Sequence, residues 1–206
     1  MPPTSADSAR SQLLLTGVRD LVDLVRERSG TVGRPLVVGV SGFCGAGKST
    51  LTRAVVAGCP GSVRMRGDDF LDPVRSHLRS TDWDGVERVR LVETVLDPFR
   101  RGEAGAFRRF DRAAMRLGPP EALPQASVLV VDLIGLFHPE SLEALDLTIW
   151  CDADQETARR RGVRRDEVAG RDHGRLWDEV RVPNDRDFAD RFHPAEAAHV
   201  RCAPPA

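Results

Sequence analysis

The densest chemical signal in the chain is the run Gly42-Phe43-Cys44-Gly45-Ala46-Gly47-Lys48-Ser49, which fits G-x-x-x-x-G-K-[ST] at every fixed position. Glycines at such positions let the backbone turn successive N–H groups inward as a nest for anions. A helix opening directly afterwards aims its positive end at the same point. Lys48 supplies a compact cation for the β- and γ-phosphates, and the Ser49 hydroxyl suits Mg²⁺. The spacing therefore predicts that ATP with Mg²⁺ binds through Gly42, Gly45, Ala46, Gly47, Lys48, Ser49 and Thr50. Lys48 is also the only lysine; the other 29 of the 30 basic Lys and Arg residues are arginine. A chain that uses Arg everywhere else keeps Lys where a planar guanidinium fits poorly.

Carboxylates follow two apolar runs. Asp132 ends Val128-Leu129-Val130-Val131 and has the place of a Walker-B-like metal carboxylate; a loop or helix-capping aspartate is the plainer alternative. Asp68 and Asp69 follow Val63–Arg66. Transfer to a hydroxyl needs one carboxylate to orient it and take its proton, and either of the pair fits that role, unless both belong to a solvated turn. Between Arg159 and Arg175 stand seven arginines against Asp166, Glu167 and Asp172. Arg161 and Arg165 are four apart and share a helix face, so both could steady a transferred phosphoryl group; a solvated basic face is the other reading.

These groups need a scaffold. Residues 13–28 read as a helix with Leu14, Val18, Leu21, Val22 and Val25 on one face, closed by Ser29-Gly30. Leu36–Val40 reads as a buried strand, Lys48 to about Ala57 as a helix, and Val63–Arg66 as a second strand. A helix over 86–101 would bury Val89, Val92, Leu96 and Phe99. Val128–Asp132 and Leu145–Cys151 read as further buried strands, residues 155–180 as an Arg-rich helical lid, and His199–Cys202 as a last short strand. Alternating strands and helices imply an α/β three-layer P-loop NTPase fold with a mostly parallel sheet. The expected organisation is a disordered Pro/Ser/Ala-rich stretch over 1–12 and one domain over 13–206.

Over roughly residues 35–200 the chain resembles the uridine kinase/phosphoribulokinase-like branch of P-loop kinases. Val40-Ser41-Gly42 leads into the phosphate loop as it does there. Asp68-Asp69-Phe70 is similar to the family's Asp-x-Phe motif, which implies Asp68 as the base with Phe70 beside the acceptor. Trp83-Asp84 resembles the aromatic-Asp step whose carboxylate binds ribose hydroxyls. Phe110-Asp111 resembles a Tyr-Asp motif lining the acceptor site, and Arg116 follows it. Asp152-x-Asp154 with Arg161 and Arg165-Asp166 matches the strand-then-lid segment. The resemblance thus implies catalysis by Asp68, Lys48, Arg161 and Arg165, metal at Ser49 and Asp132, and acceptor contacts at Asp84, Asp111, Phe70, Trp83 and Arg116. The chain also departs from the pattern. Asp132-Leu133 stands for Glu-Gly, Leu71 and Phe110 for two tyrosines, Ala114-Met115 where a histidine follows, and Gly162 for a lid arginine.

The implied activity is ATP-dependent phosphoryl transfer to the hydroxyl of a nucleoside-like small molecule. The alternatives are a sugar- or pantothenate-like acceptor, or an ATP-binding protein or switch with no acceptor. No guanine-selecting Asn-Lys-x-Asp motif is present, because Lys48 is the only lysine. A net charge of −1 gives no basic field for nucleic acid. No apolar stretch approaches the length of a membrane span, and Met1–Gln12 lacks a signal-like apolar core, so a cytoplasmic monomer or homo-oligomer is expected. Cys44, Cys59, Cys151 and Cys202 have no zinc-like spacing.

Overall fold

The computed structural model describes residues 12–15, 17–111 and 114–204. The disorder expected over 1–12 falls, except for Gln12, outside them.

Among the described residues the main sheet has six strands: β1 (Leu13–Leu15), β2 (Leu36–Ser41), β3 (Ser62–Arg66), β6 (Val128–Asp132), β7 (Leu147–Cys151) and β8 (Val200–Cys202). Their spatial order is β1-β8-β7-β2-β6-β3, and every pairing is parallel. β4 (Ala106–Asp111) and β5 (Arg116–Ala122) form a separate antiparallel hairpin. Helices cover both faces of the main sheet. α1 (Val18–Val32) and α2 (Lys48–Gly58) bury Leu21, Val22, Val25, Leu51 and Val55 against Val38, Val40, Val130 and Ile149. On the opposite face Val37, Leu129, Val131 and Trp150 meet Leu91, Val95, Leu96 and Phe99. Alternate residues of each strand thus serve opposite layers, which is why the strands read as unbroken apolar runs. Each fully buried Leu or Val contributes roughly 1.5–3 kcal/mol of transfer free energy. No described helix is long and apolar enough to cross a membrane.

Helical segments separate these strands. α3 (Arg88–Leu91), a π turn (Val92–Leu96) and α4 (Asp97–Arg100) follow one another directly, and a short α5 (Pro139–Leu142) lies after β6. α6 (Gln155–Val168) follows β7. Next come α7 (Gly174–Leu176), a second π turn (Trp177–Arg181), α8 (Val182–Phe192) and α9 (Pro194–Ala197). Both π turns lie just before a proline, Pro98 and Pro183. Proline lacks an N–H and its ring crowds the carbonyl four residues earlier, which falls inside the widened turn each time.

Three sequence expectations are corrected. Leu13–Leu15 is an edge strand rather than the start of a helix, because its backbone pairs with Val200–Cys202. α1 runs past Ser29-Gly30 to Val32 and ends at Gly33, whose φ is 70°. In the helix over 88–100, Val89 is exposed, and Leu91, Val95, Leu96 and Phe99 are buried. The π turn has more residues per turn than an α-helix, and the buried Leu91, Val95 and Phe99 fall at four-residue steps along this segment.

Candidate active site

β2 delivers the phosphate loop at its carboxyl end. Gly45 (φ 82°) and Gly47 (φ 103°) take left-handed conformations that favour glycine, and Lys48 opens α2 immediately afterwards. Gly45 is also tightly approached: a Cβ there would lie 2.1 Å from the Ala158 carbonyl oxygen of α6. Lys48 Nζ donates to the carbonyls of Gly42 and Phe43 at 2.8 Å each, which curls its ammonium over the loop.

β2 pairs with β6, and Val40 lies opposite Asp132. That register brings the start of α2 to the end of β6. Ser49 Oγ donates to Asp132 Oδ2 at 2.6 Å. A hydroxyl and one carboxylate, completed by phosphate oxygens and water, are the hard oxygen donors Mg²⁺ takes, so the residues present fit that metal. Among the described residues no cluster of three or more His, Cys, Asp or Glu forms a metal cage.

Asp132 has a second partner that sequence reasoning missed. Arg64 on β3 donates to it through Nε at 2.6 Å and Nη2 at 2.8 Å. The hydrogen bonds to Asp132 hold the Arg64 guanidinium above its ordinary pKa. Nothing in Val63–Arg66 read alone marks Arg64; only the parallel β3–β6 register does.

The 3₁₀ turn Gly67–Phe70 follows β3, and the Arg66–Asp132 register sets it beside the end of β6. Its two aspartates part company. Asp68 is exposed. Asp69 is buried and accepts from Arg109 Nη1 of the hairpin at 2.9 Å. Arg109 also binds Glu121 on the opposite strand, and Phe107 stacks on Phe70 with ring centroids 6.4 Å apart. Asp69 and Phe70 therefore anchor the hairpin. Phe70 is fully buried and Trp83 is 2% exposed, so both belong to the hydrophobic core and present no open face to a ligand. The family resemblance implied acceptor contacts there from motif position; here the core claims both rings.

Asp84 is exposed and, with Asp82, lines a cavity of about 440 Å³ that also takes in Glu87, Arg88, Arg90 and His138. The two carboxyls share a hydrogen bond that raises the Asp82 pKa and lowers that of Asp84. Burial, helped by Arg88, lowers the His138 pKa and favours its neutral form. Asp111 and Arg116 face each other across the turn end of the hairpin. None of the described hydrogen bonds or ion pairs joins either of them to the phosphate loop.

Asp154 caps the start of α6: its carboxylate accepts from the Thr157 N–H at 2.7 Å. Its buried face is Ala158, Gly162 and Asp166. Arg161 is exposed on the flank of that face, close enough for its charge to act on Cys151. Arg165 turns to Asp166 at 3.4 Å and is not joined to the phosphate loop by any described contact. Asp166 is the hub of the segment. It accepts from Trp177 Nε1 at 3.0 Å, Arg171 at 2.9 Å, Arg181 at 3.0 Å and His173 at 3.2 Å. Burial alone would raise its pKa, but these donors outweigh burial and hold it well below the usual carboxylate range. Gly162 is explained by the same packing, because a Cβ there would lie 2.0 Å from the Trp177 ring.

Asp185 on α8 also escaped the sequence reading. Its carboxylate accepts from the backbone N–H of Cys44 in the phosphate loop at 2.7 Å. Burial pushes its pKa up to about 6, against the pull of Lys48. All four cysteines are buried and free. Burial pushes the Cys151 thiol up to about 12 and raises Cys44 as well, so neither is a nucleophile at neutral pH.

No protein-family model matches the chain. It is 26% identical over 138 residues to uridine-cytidine kinase C of Dictyostelium discoideum, a match that covers 64% of this chain and 29% of that protein. Its fold is similar to that of a candidate fructose transport system kinase from Silicibacter sp. TM1040, with a TM-score of 0.73, 20% identity, and 91% and 99% of the two chains covered. A candidate uridine kinase from Bacillus stearothermophilus aligns with a TM-score of 0.65, 12% identity, and 90% and 98% covered. In sequence and fold the chain is similar to uridine kinase-like P-loop kinases.

Proposed function

We propose that the chain is an ATP-dependent kinase that moves a γ-phosphoryl group to a hydroxyl of a small polar acceptor, either a nucleoside or a sugar. The observation that carries this reading is the convergence of three elements at one sheet end. The Ser49 hydroxyl bonds Asp132 at 2.6 Å, and the turn bearing exposed Asp68 follows the strand paired beside Asp132.

The residues divide the work as follows. Backbone N–H groups from Gly45 to Ser49 and the start of α2 hold phosphate oxygens. Lys48 leaves the Gly42 and Phe43 carbonyls to neutralise phosphate charge. Ser49 and Asp132 would hold Mg²⁺, which supplies Lewis-acid charge at the phosphates when bound. Asp68 orients the acceptor hydroxyl and takes its proton; Asp69 is committed to Arg109 and cannot. Arg161, exposed on the α6 flank, would stabilise charge developing on the transferred phosphoryl group.

The charged cavity beside Asp84 suits an acceptor rich in hydroxyls. The names of the relatives, a uridine-cytidine kinase and a candidate fructose transport system kinase, point to the same two classes. The test is acceptor-dependent release of ADP, screened over uridine, cytidine, ribose, fructose and pantothenate. Stimulation by one acceptor class supports the reading. ATP hydrolysis indifferent to all of them supports a nucleotide-binding switch instead.

A further inference from the structure

We propose that Arg64 is a resident counter-cation of the metal site: its guanidinium neutralises Asp132 before metal binds and competes with Mg²⁺ for that carboxylate. The inference rests on the reading of Ser49 and Asp132 as the metal-facing pair.

Geometry carries it. Asp132 is 5% exposed at its side chain, and both of its oxygens face Arg64, at 2.6 and 2.8 Å. Oδ2 also accepts from Ser49. A metal that reaches this carboxylate, directly or through water, meets a guanidinium already bidentate on it. A buried carboxylate with no partner is costly, so the arginine stabilises the site in the absence of metal. Arg64 lies opposite Val130, two residues before Arg66, which pairs with Asp132, so the pleat puts Arg64 on the same face as that carboxylate. β3 is an edge strand of the sheet, and the Arg64 side chain keeps 21% of its surface exposed. Its guanidinium therefore has room to move. It also has somewhere to go, since Asp68 and Asp69, in the turn that directly follows β3, already help to hold its charge. Binding of metal would shift this charge from Asp132 toward the acceptor-side aspartates.

The test is Mn²⁺ binding, followed by electron paramagnetic resonance with saturating ADP, in the wild type, Arg64→Met and Arg64→Lys. Removing one unit charge this close to the ion predicts metal affinity about tenfold tighter in Arg64→Met. Arg64→Lys, which keeps a charge but loses the planar fork, falls between the two. Unchanged or weaker Mn²⁺ affinity in a folded Arg64→Met overturns the proposal. If that variant does not fold, unchanged affinity in Arg64→Lys overturns it. ADP affinity measured without metal reports the phosphate loop separately. ADP binding with no Mn²⁺ binding in any of the three proteins overturns both this proposal and the assignment of Ser49 and Asp132.

Discussion

The hydroxyl of Ser49 donates to Asp132 Oδ2 at 2.6 Å, although 83 residues separate them in the chain. Ser49 lies in the first turn of α2, directly after Lys48, and Asp132 ends β6, the second strand of the main sheet to follow that helix. Parallel pairing of β2 with β6 is what makes them neighbours.

Asp68 and Asp69 should separate cleanly. Asp68→Asn leaves an exposed side chain of the same size, so the melting temperature stays within the range of ordinary surface changes, while kcat falls by roughly 10²–10⁴. Asp69→Ala removes a buried acceptor from Arg109 and costs stability, on the order of 2 kcal/mol. Thermal unfolding and steady-state rates on both variants check this. Equal loss of rate with unchanged stability in Asp69→Ala would contradict the assignment.

Gly162→Ala places a methyl group where the Trp177 ring now sits. Overpacking of this kind costs about 1–3 kcal/mol. Trp177→Leu opens the space, so the double variant should recover part of the loss, beyond the sum of the single effects. A double-mutant cycle from denaturant unfolding measures it.

Asp185 gives a pH signature. Its folded pKa, about 6, lies above its ordinary 3.8, so the folded protein binds this proton more tightly than the unfolded chain. Its contribution to stability is therefore greatest at acid pH and is lost as pH rises from about 4 through about 6. Asp185→Asn keeps an oxygen for the Cys44 N–H and removes the buried charge. It should stabilise the protein at pH 7.5 by on the order of 2 kcal/mol and flatten the slope between those pH values. Urea unfolding across that range reads both.

The Asp166 hub predicts the opposite sign. Its folded pKa is depressed, so its contribution is fully present above the ordinary carboxylate pKa and is lost only on strong acidification. Asp166→Ala strands Trp177 Nε1 and the Arg171 and Arg181 guanidiniums, and should cost roughly 3–5 kcal/mol. Hydrogen exchange should rise across 155–181 before it rises in the central sheet.

What the sequence disclosed depended on how local each feature is. The phosphate loop was legible because its glycines, lysine and serine do their work within one turn and the next helix. β2, β6 and β7 were legible because burial on two faces leaves an unbroken apolar run. The β4–β5 hairpin was not foreseen: β5 reads Arg-Leu-Gly-Pro-Pro-Glu-Ala, with neither alternation nor β-branched residues. Leu13–Leu15 looked helical because the partner that makes it a strand begins at Val200. Arg64, Arg109 and Asp185 were hidden for the same reason. Their roles exist only across the β3–β6 register, the hairpin anchor and the α8 contact with the loop. Phe70 and Trp83 show the converse limit, since motif position marked them but could not say whether the core would claim them.

The most direct measurement is transfer of label from γ-labelled ATP with Mg²⁺ to a panel of nucleosides, sugars and pantothenate, by the wild type, Lys48→Ala and Asp68→Asn. The account predicts one labelled class of product from the wild type. It also predicts a rate lower by on the order of 10²-fold or more in Lys48→Ala, which loses charge stabilisation at the phosphates. Asp68→Asn should bind ATP normally yet label little product. Full labelling by Asp68→Asn, or tight ATP binding by the wild type with no acceptor labelled, would contradict a phosphoryl-transfer centre built from Lys48, Ser49, Asp132 and Asp68.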